Sequence, residues 1–129
     1  MALVVDSLDH LVLTVADAAR AIDFYVRVLG MQEITFGEGR KAVAFGSQKI
    51  NLHVAGAEVA PHARVPVVGS ADVCFLTGVP LPQAMAHVTA CGVAIELGPV
   101  MRTGATGPIT SFYVRDPDGN LIEVANKAP

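Results

Sequence analysis

Four side chains able to bind a metal or move a proton stand inside otherwise apolar runs of this 129-residue chain. His10 lies in Leu8-Asp9-His10-Leu11-Val12-Leu13, and His53 lies in Lys49-Ile50-Asn51-Leu52-His53. Asp72 lies in Ala71-Asp72-Val73-Cys74-Phe75, and Glu123 in Leu121-Ile122-Glu123-Val124. Imidazole nitrogens and carboxylate oxygens together suit a divalent ion such as Zn²⁺, Ni²⁺, Fe²⁺, Mn²⁺ or Co²⁺, with coordination positions left for a small substrate. An ion held that way is a Lewis acid for two neighbouring oxygens. Spacing alone leaves a second reading open, in which His10 and His53 are satisfied core histidines and Asp72 and Glu123 only accept hydrogen bonds.

For these side chains to act together, they must share the helix-free face of a sheet. Residues 8–15 read as a strand, and alternation puts His10, Val12 and Thr14 on one face and Leu11, Leu13 and Val15 on the other. The second face suits a helix that starts at an Asp17 cap, repeats apolar residues at Ala18, Ile22, Tyr25 and Leu29, and stops at Gly30. Tyr25 therefore belongs to the core. Strand-like runs follow at 31–36, 41–46 and 49–54, so the first half reads βαβββ. Asn51 and His53 share one face of the last run. A connector spans 55–69, with Pro61 and Pro66 inside it.

The second half echoes the first: the same offset separates His10 from Asp72 and Gly30 from Gly92. A strand at 71–77, a helix beginning near Pro82 and ending at Gly92, and strands at 93–97, 109–115 and 120–126 complete a second βαβββ copy. Asp116-Pro117-Asp118-Gly119 supplies a tight turn before the last strand, and Gly98–Pro108 reads as a glycine-rich mobile loop. The expected organisation is one α+β domain over 1–129, with module one at about 6–54, the connector at 55–69 and module two at about 70–126.

Around the four candidate ligands, Asn51, Ser111 and Tyr113 are placed by alternation to line a pocket. Arg102 and Thr103 on the glycine-rich loop, and Arg40 with Lys41, are candidates to bind a substrate carboxylate or phosphonate. His62, beside Pro61, and His87, off the apolar stripe of its helix, are expected to face solvent. Hydrophobic residues make up 52% of the chain and charged ones 16%, with a net charge of −3. That composition argues against disorder and against a nucleic-acid partner, which would require a basic stripe. Cys74 and Cys91 read as small buried hydrophobes in a reducing compartment. No leader pattern and no apolar run long enough to span a bilayer are present, so no membrane partner and a cytoplasmic location are expected.

Leu8 to Leu13, Ile22-Asp23-Phe24-Tyr25 through Val28-Leu29-Gly30, and Asp116-Pro117-Asp118-Gly119-Asn120-Leu121-Ile122-Glu123 together resemble the vicinal oxygen chelate superfamily. That superfamily contains glyoxalase I, fosfomycin-resistance transferases, extradiol dioxygenases and bleomycin-resistance proteins. Phe36-Gly37-Glu38-Gly39-Arg40-Lys41, Lys49 to His53 and Gly107-Pro108-Ile109-Thr110-Ser111 resemble, within it, the glyoxalase-domain-containing 5 branch. The resemblance implies that the two modules form a curved, barrel-like mixed sheet with helices outside. It also implies His10, Asp72 and Glu123 as ligand positions, with Glu123 the catalytic group. Asn51 stands where glyoxalase I has a glutamate, and His53, on the same face, takes that place, making the expected metal set His10, His53, Asp72 and Glu123. The implied activity is that of a metal-dependent glyoxalase-like lyase or isomerase on a substrate with vicinal oxygens. An extradiol-type dioxygenase or a metal-free drug-binding protein of the bleomycin-resistance type are the alternatives. The implied partners are a small molecule and a second copy of the chain, with sites shared in a homodimer.

Overall fold

Alternating apolar and polar residues build two four-stranded sheets, each with one helix laid on one face. The computed structural model describes residues 2–129. Sheet one has the order β1-β4-β3-β2, from β1 (His10–Val15), β2 (Gln32–Phe36), β3 (Arg40–Phe45) and β4 (Gln48–Val54). Sheet two repeats it as β5-β8-β7-β6, from β5 (Asp72–Leu76), β6 (Leu97–Gly104), β7 (Gly107–Arg115) and β8 (Leu121–Lys127). In each sheet the first strand lies at the edge and runs parallel to the last, while the other pairs are antiparallel. The sheets curve without closing into a barrel.

Helix α1 (Ala18–Asp23) begins where the Asp17 carboxylate accepts the Arg20 N–H at 3.0 Å, and it runs on into a π-helical turn at Phe24–Val28. That wider turn lets the adjacent residues Phe24 and Tyr25 both enter the core, their rings edge to face at 5.1 Å. Gly30, at φ +72°, closes it in the left-handed region that a side chain disfavours. Helix α2 spans Leu81–Ala90, with Pro82 in its first turn.

The helix-covered faces of both sheets meet in one core. Leu13, Val15, Ile50 and Leu52 of sheet one join Phe112, Val114, Ile122 and Val124 of sheet two, with Phe24, Tyr25, Val28 and Val88 from the helices. Phe45 and Phe75 bridge the sheets edge to face at 5.2 Å. The junction is also polar. The Asp116 carboxylate accepts from Tyr25 Oη and Asn120 Nδ2 at 2.7 Å, and from the Asp118 and Asn120 N–H groups at 2.9 Å. Asn120 in turn accepts the Ala71 N–H, which fixes the start of β5 against the Asp116–Gly119 turn.

Two sequence expectations are corrected. The segment 98–108 is not a loop: β6 covers Leu97–Gly104 and forms a hairpin with β7. Gly98, at φ +129°, and Pro99 make an irregularity inside the strand, between Leu97 and Val100. Cys74 is exposed rather than buried, because it lies on the face of β5 that the core does not cover.

Candidate functional site

Strand alternation decides which side chains share the helix-free faces, and the registers decide which are neighbours. On sheet one His10 pairs with Lys49, Val12 with Asn51 and Thr14 with His53 across β1 and β4. The next strand places Ala42 against Asn51 and Ala44 against Lys49. Two alanines in the middle of this face leave room for longer side chains to fold over it. Asn51 and His53 are accordingly each only 5% exposed, yet Asn51 Oδ1 and His53 Nε2 have no hydrogen-bond partner. Burial, the guanidinium of Arg40 and the nearby His62 lower the His53 pKa, with Glu58 opposing, which favours the neutral imidazole. His10 lies at the open edge, with its Nδ1 2.8 Å from the Asp9 carboxylate. A hydrogen on Nδ1 directed at Asp9 leaves Nε2 with the lone pair, the form that binds a ligand.

Sheet two carries the two candidate carboxylates. Cys74 pairs with Glu123 across β5 and β8, Asp72 with Leu121, and Tyr113 with Glu123 across β7 and β8. Ser111 is buried and its hydroxyl donates to Glu123 Oε2 at 2.5 Å, which fixes the carboxylate's orientation. The Cys74 thiol is pushed up to about 11 by burial and by the negative charges of Glu123 and Asp72, so it stays protonated at neutral pH. Arg102 shares this face and donates to Tyr113 Oη at 2.9 Å.

Not every predicted site residue is brought together. Thr103 pairs with Pro108 on the opposite parity of β6 from Arg102, so it points to the other side of the sheet from Glu123. Both residues lie on a strand rather than the expected loop. Lys41 is likewise engaged on its own side, with Glu33 at 3.0 Å and Thr35 at 2.7 Å. His62 is exposed, and His87 bonds the Val28 carbonyl at the junction of the two helices. His10 and His53 stand on one sheet, Asp72 and Glu123 on the other, and each sheet's opposite face faces the shared core. Among the described residues no group of three or more His, Cys, Asp or Glu side chains of a single chain could hold a metal. A cavity of about 670 Å³ between the modules is lined chiefly by apolar groups such as Leu11, Met31, Phe45, Phe75 and Val88, and by none of the four candidate ligands.

Sequence reasoning missed Cys74, which it read as a small buried hydrophobe, and Lys49, to which it assigned no role. The pairing of Cys74 with Glu123 was hidden because it depends on the parallel register of β5 and β8.

A family model for the Glyoxalase/Bleomycin resistance protein/Dioxygenase superfamily matches residues 7–124. The chain belongs to that superfamily. It is 55% identical over 122 residues to the glyoxalase domain-containing protein RDO1 of Mycosarcoma maydis, covering 95% of this chain and 69% of that one. It is 51% identical over 123 residues to the virulence protein STM3117 of Salmonella typhimurium, covering 95% and 85%. Among solved structures, an integron cassette protein from the mobile metagenome of V. Cholerae superposes with a TM-score of 0.97 at 56% identity, covering 99% of this chain and all of the other. The superfamily's own name spans enzymes and a resistance protein, so membership establishes the fold and leaves the reaction to the side chains.

Proposed function

We propose that this protein is a metal-dependent lyase or isomerase of the glyoxalase type, acting on a small substrate whose two neighbouring oxygens face the ligand set His10, His53, Asp72 and Glu123. The observation that carries the proposal is the pair of buried, partnerless atoms on sheet one, Asn51 Oδ1 and His53 Nε2. A buried polar atom without a partner is costly, which argues that something absent from the single chain satisfies it. A neutral imidazole nitrogen fits a borderline divalent ion, and the remaining donors, one imidazole and two carboxylates, fit the same class. A bound ion would polarise the substrate oxygens. Glu123, whose carboxylate accepts from Ser111, would take or return a proton at the carbon beside them. Asn51 lines the pocket rather than ligating, because an amide oxygen is the poorer donor for such ions.

The site is proposed to form between two chains. His10 and Asp72 lie on β1 and β5, each an edge strand of its sheet with one side unpaired within the chain. Docking β1 of one copy beside β5 of another would join the two ligand pairs and cover Val12 and Leu76, which are exposed beside them. A specific observation favours a second reading, a metal-free binding protein: the β3–β4 register, continued by one residue, puts the Arg40 guanidinium beside His53, where it would repel a dication.

Metal analysis separates the two. Protein purified without chelator, or refilled with Zn²⁺, Ni²⁺, Fe²⁺, Mn²⁺ or Co²⁺ in turn, is expected to hold about one ion per chain. His10→Ala and Glu123→Ala should lose it, and His53→Ala should weaken it more than Asn51→Ala does. Wild-type protein that takes up none of the five ions would establish the metal-free reading instead.

A further inference from the structure

The helix-free face of sheet one holds a pair of cations that the proposed chemistry does not use. Register places Phe36 opposite Arg40 across β2 and β3. Continuing the β3–β4 register by one residue from Lys41 and Leu52 puts Arg40 beside His53. Over the small Ala42 and Ala44, the side chains of Arg40 and Lys49 converge on one ring: Arg40 Cζ lies 4.8 Å and Lys49 Nζ 3.7 Å from the Phe36 centroid.

The ring positions both cations without neutralising either, since attraction to a π face leaves the positive charge intact. No acid does so either. Among the described residues the ion pairs made by lysine and arginine are Arg27–Asp23, Lys41–Glu33 and Arg115–Glu96, and neither Arg40 nor Lys49 donates a side-chain hydrogen bond to the protein. Two like charges against one ring repel each other, and an anion between them relieves that repulsion. Beneath them lies Asn51, 5% exposed and with an amide oxygen that no protein group satisfies. Turned over, the same amide offers its N–H groups to an anion's oxygens.

We propose that Arg40 and Lys49, clamped on Phe36 above Asn51, form an anion subsite that receives a carboxylate, phosphonate or phosphate group of the small molecule bound at this face. The proposal rests on the reading of that face as the small-molecule site, and it holds whether or not a metal is present. It makes Arg40 and Lys49 the residues that select an acidic substrate. The bidentate guanidinium orients the group, and the ammonium adds charge.

The test uses the full chain after chelator treatment. Inorganic phosphate and, separately, succinate are titrated at constant ionic strength and followed by calorimetry. Saturable binding of either is expected, and the tighter of the two names the anion class. Arg40→Gln and Lys49→Gln should each weaken binding tenfold or more. Phe36→Leu, which keeps both charges and removes the clamp, should weaken it severalfold, while Arg64→Gln on the connector should leave it unchanged. Wild-type protein that binds neither anion, or Arg40→Gln and Lys49→Gln proteins that bind as wild type does, would overturn the proposal. Because the titration contains no metal, its failure leaves the metal stoichiometry untouched, and loss of the metal reading leaves this result untouched.

Discussion

Glu123 is held between two neighbours of different character. Ser111 donates a hydrogen bond to it, and Cys74 presents a thiol that partial burial first, and then the Glu123 carboxylate, keep protonated. An exposed cysteine would ordinarily react readily with an alkylating reagent, but only the thiolate is nucleophilic. With its pKa raised from 9.0 to about 11, Cys74 should have about a hundredfold less thiolate near neutral pH than an unperturbed thiol. In a Cys91→Ala background, iodoacetamide labelling followed by mass spectrometry should therefore be slow at pH 8. It should accelerate when Glu123→Gln removes the neighbouring charge. Equal rates in the two proteins would show that the carboxylate does not control the thiol. The faces of His10, His53 and Glu123 were legible in the sequence because a period of two leaves a strand residue only two choices. The partners were not: the Asp9 contact, the Ser111 hydrogen bond and the Phe36 clamp depend on side-chain torsions and strand registers, which a single chain of letters does not encode locally.

At the level of elements, the helix caps, the first-module strands and the internal repeat were all readable. Asp17, Gly30, Gly92 and the alternating runs carry local signals that tertiary contacts did not override. Residues 98–108 misled because Gly98 and Pro99 break the strand pattern, and only the pairing of β6 with β7 shows that the strand continues. A Cβ on Gly98 would meet the Phe112 backbone at 2.7 Å, and its φ is unfavourable to any side chain. Gly98→Ala is expected to cost about 2 kcal/mol in chemical denaturation. The buried turn around Asp116 was read only as a tight turn, although it joins helix one to module two. Tyr25→Phe removes one donor from the buried carboxylate and should cost about 2 kcal/mol at neutral pH. The sign of its pH dependence follows from the phenol. Burial first, then Asp116 and Asp118, raise the Tyr25 pKa far above its ordinary 10.0. A folded pKa above the unfolded one gives stability that is complete below pH 10 and is lost as the pH rises past it. Wild-type protein should therefore lose stability above about pH 10 more steeply than Tyr25→Phe does, and parallel curves would rule out this linkage.

Across the whole molecule, the two sheets turn their helix-covered faces to one core and leave β1 and β5 as open edges. No helix among the described residues is long and apolar enough to cross a membrane. Apolar residues stand exposed on the helix-free faces, Val12 and Leu76 among them, and exposed apolar surface of this kind marks an interaction site. A second copy covers it if module one of each chain docks on module two of the other, and that arrangement has a consequence no monomer shares. His10→Ala destroys the sheet-one half of a site and Glu123→Ala the sheet-two half. In a mixed dimer one interface then combines both defects while the other combines two intact halves. Equal mixing with free exchange makes half of the dimers mixed, each with one good site, so metal content should recover to about a quarter of wild type. The same two variants kept separate should hold none. Sedimentation of the mixture fixes the subunit number in parallel. A monomer in solution, or mixed dimers with no recovered metal, would exclude the shared site and force the four ligands to be sought within one chain, where the core stands between them.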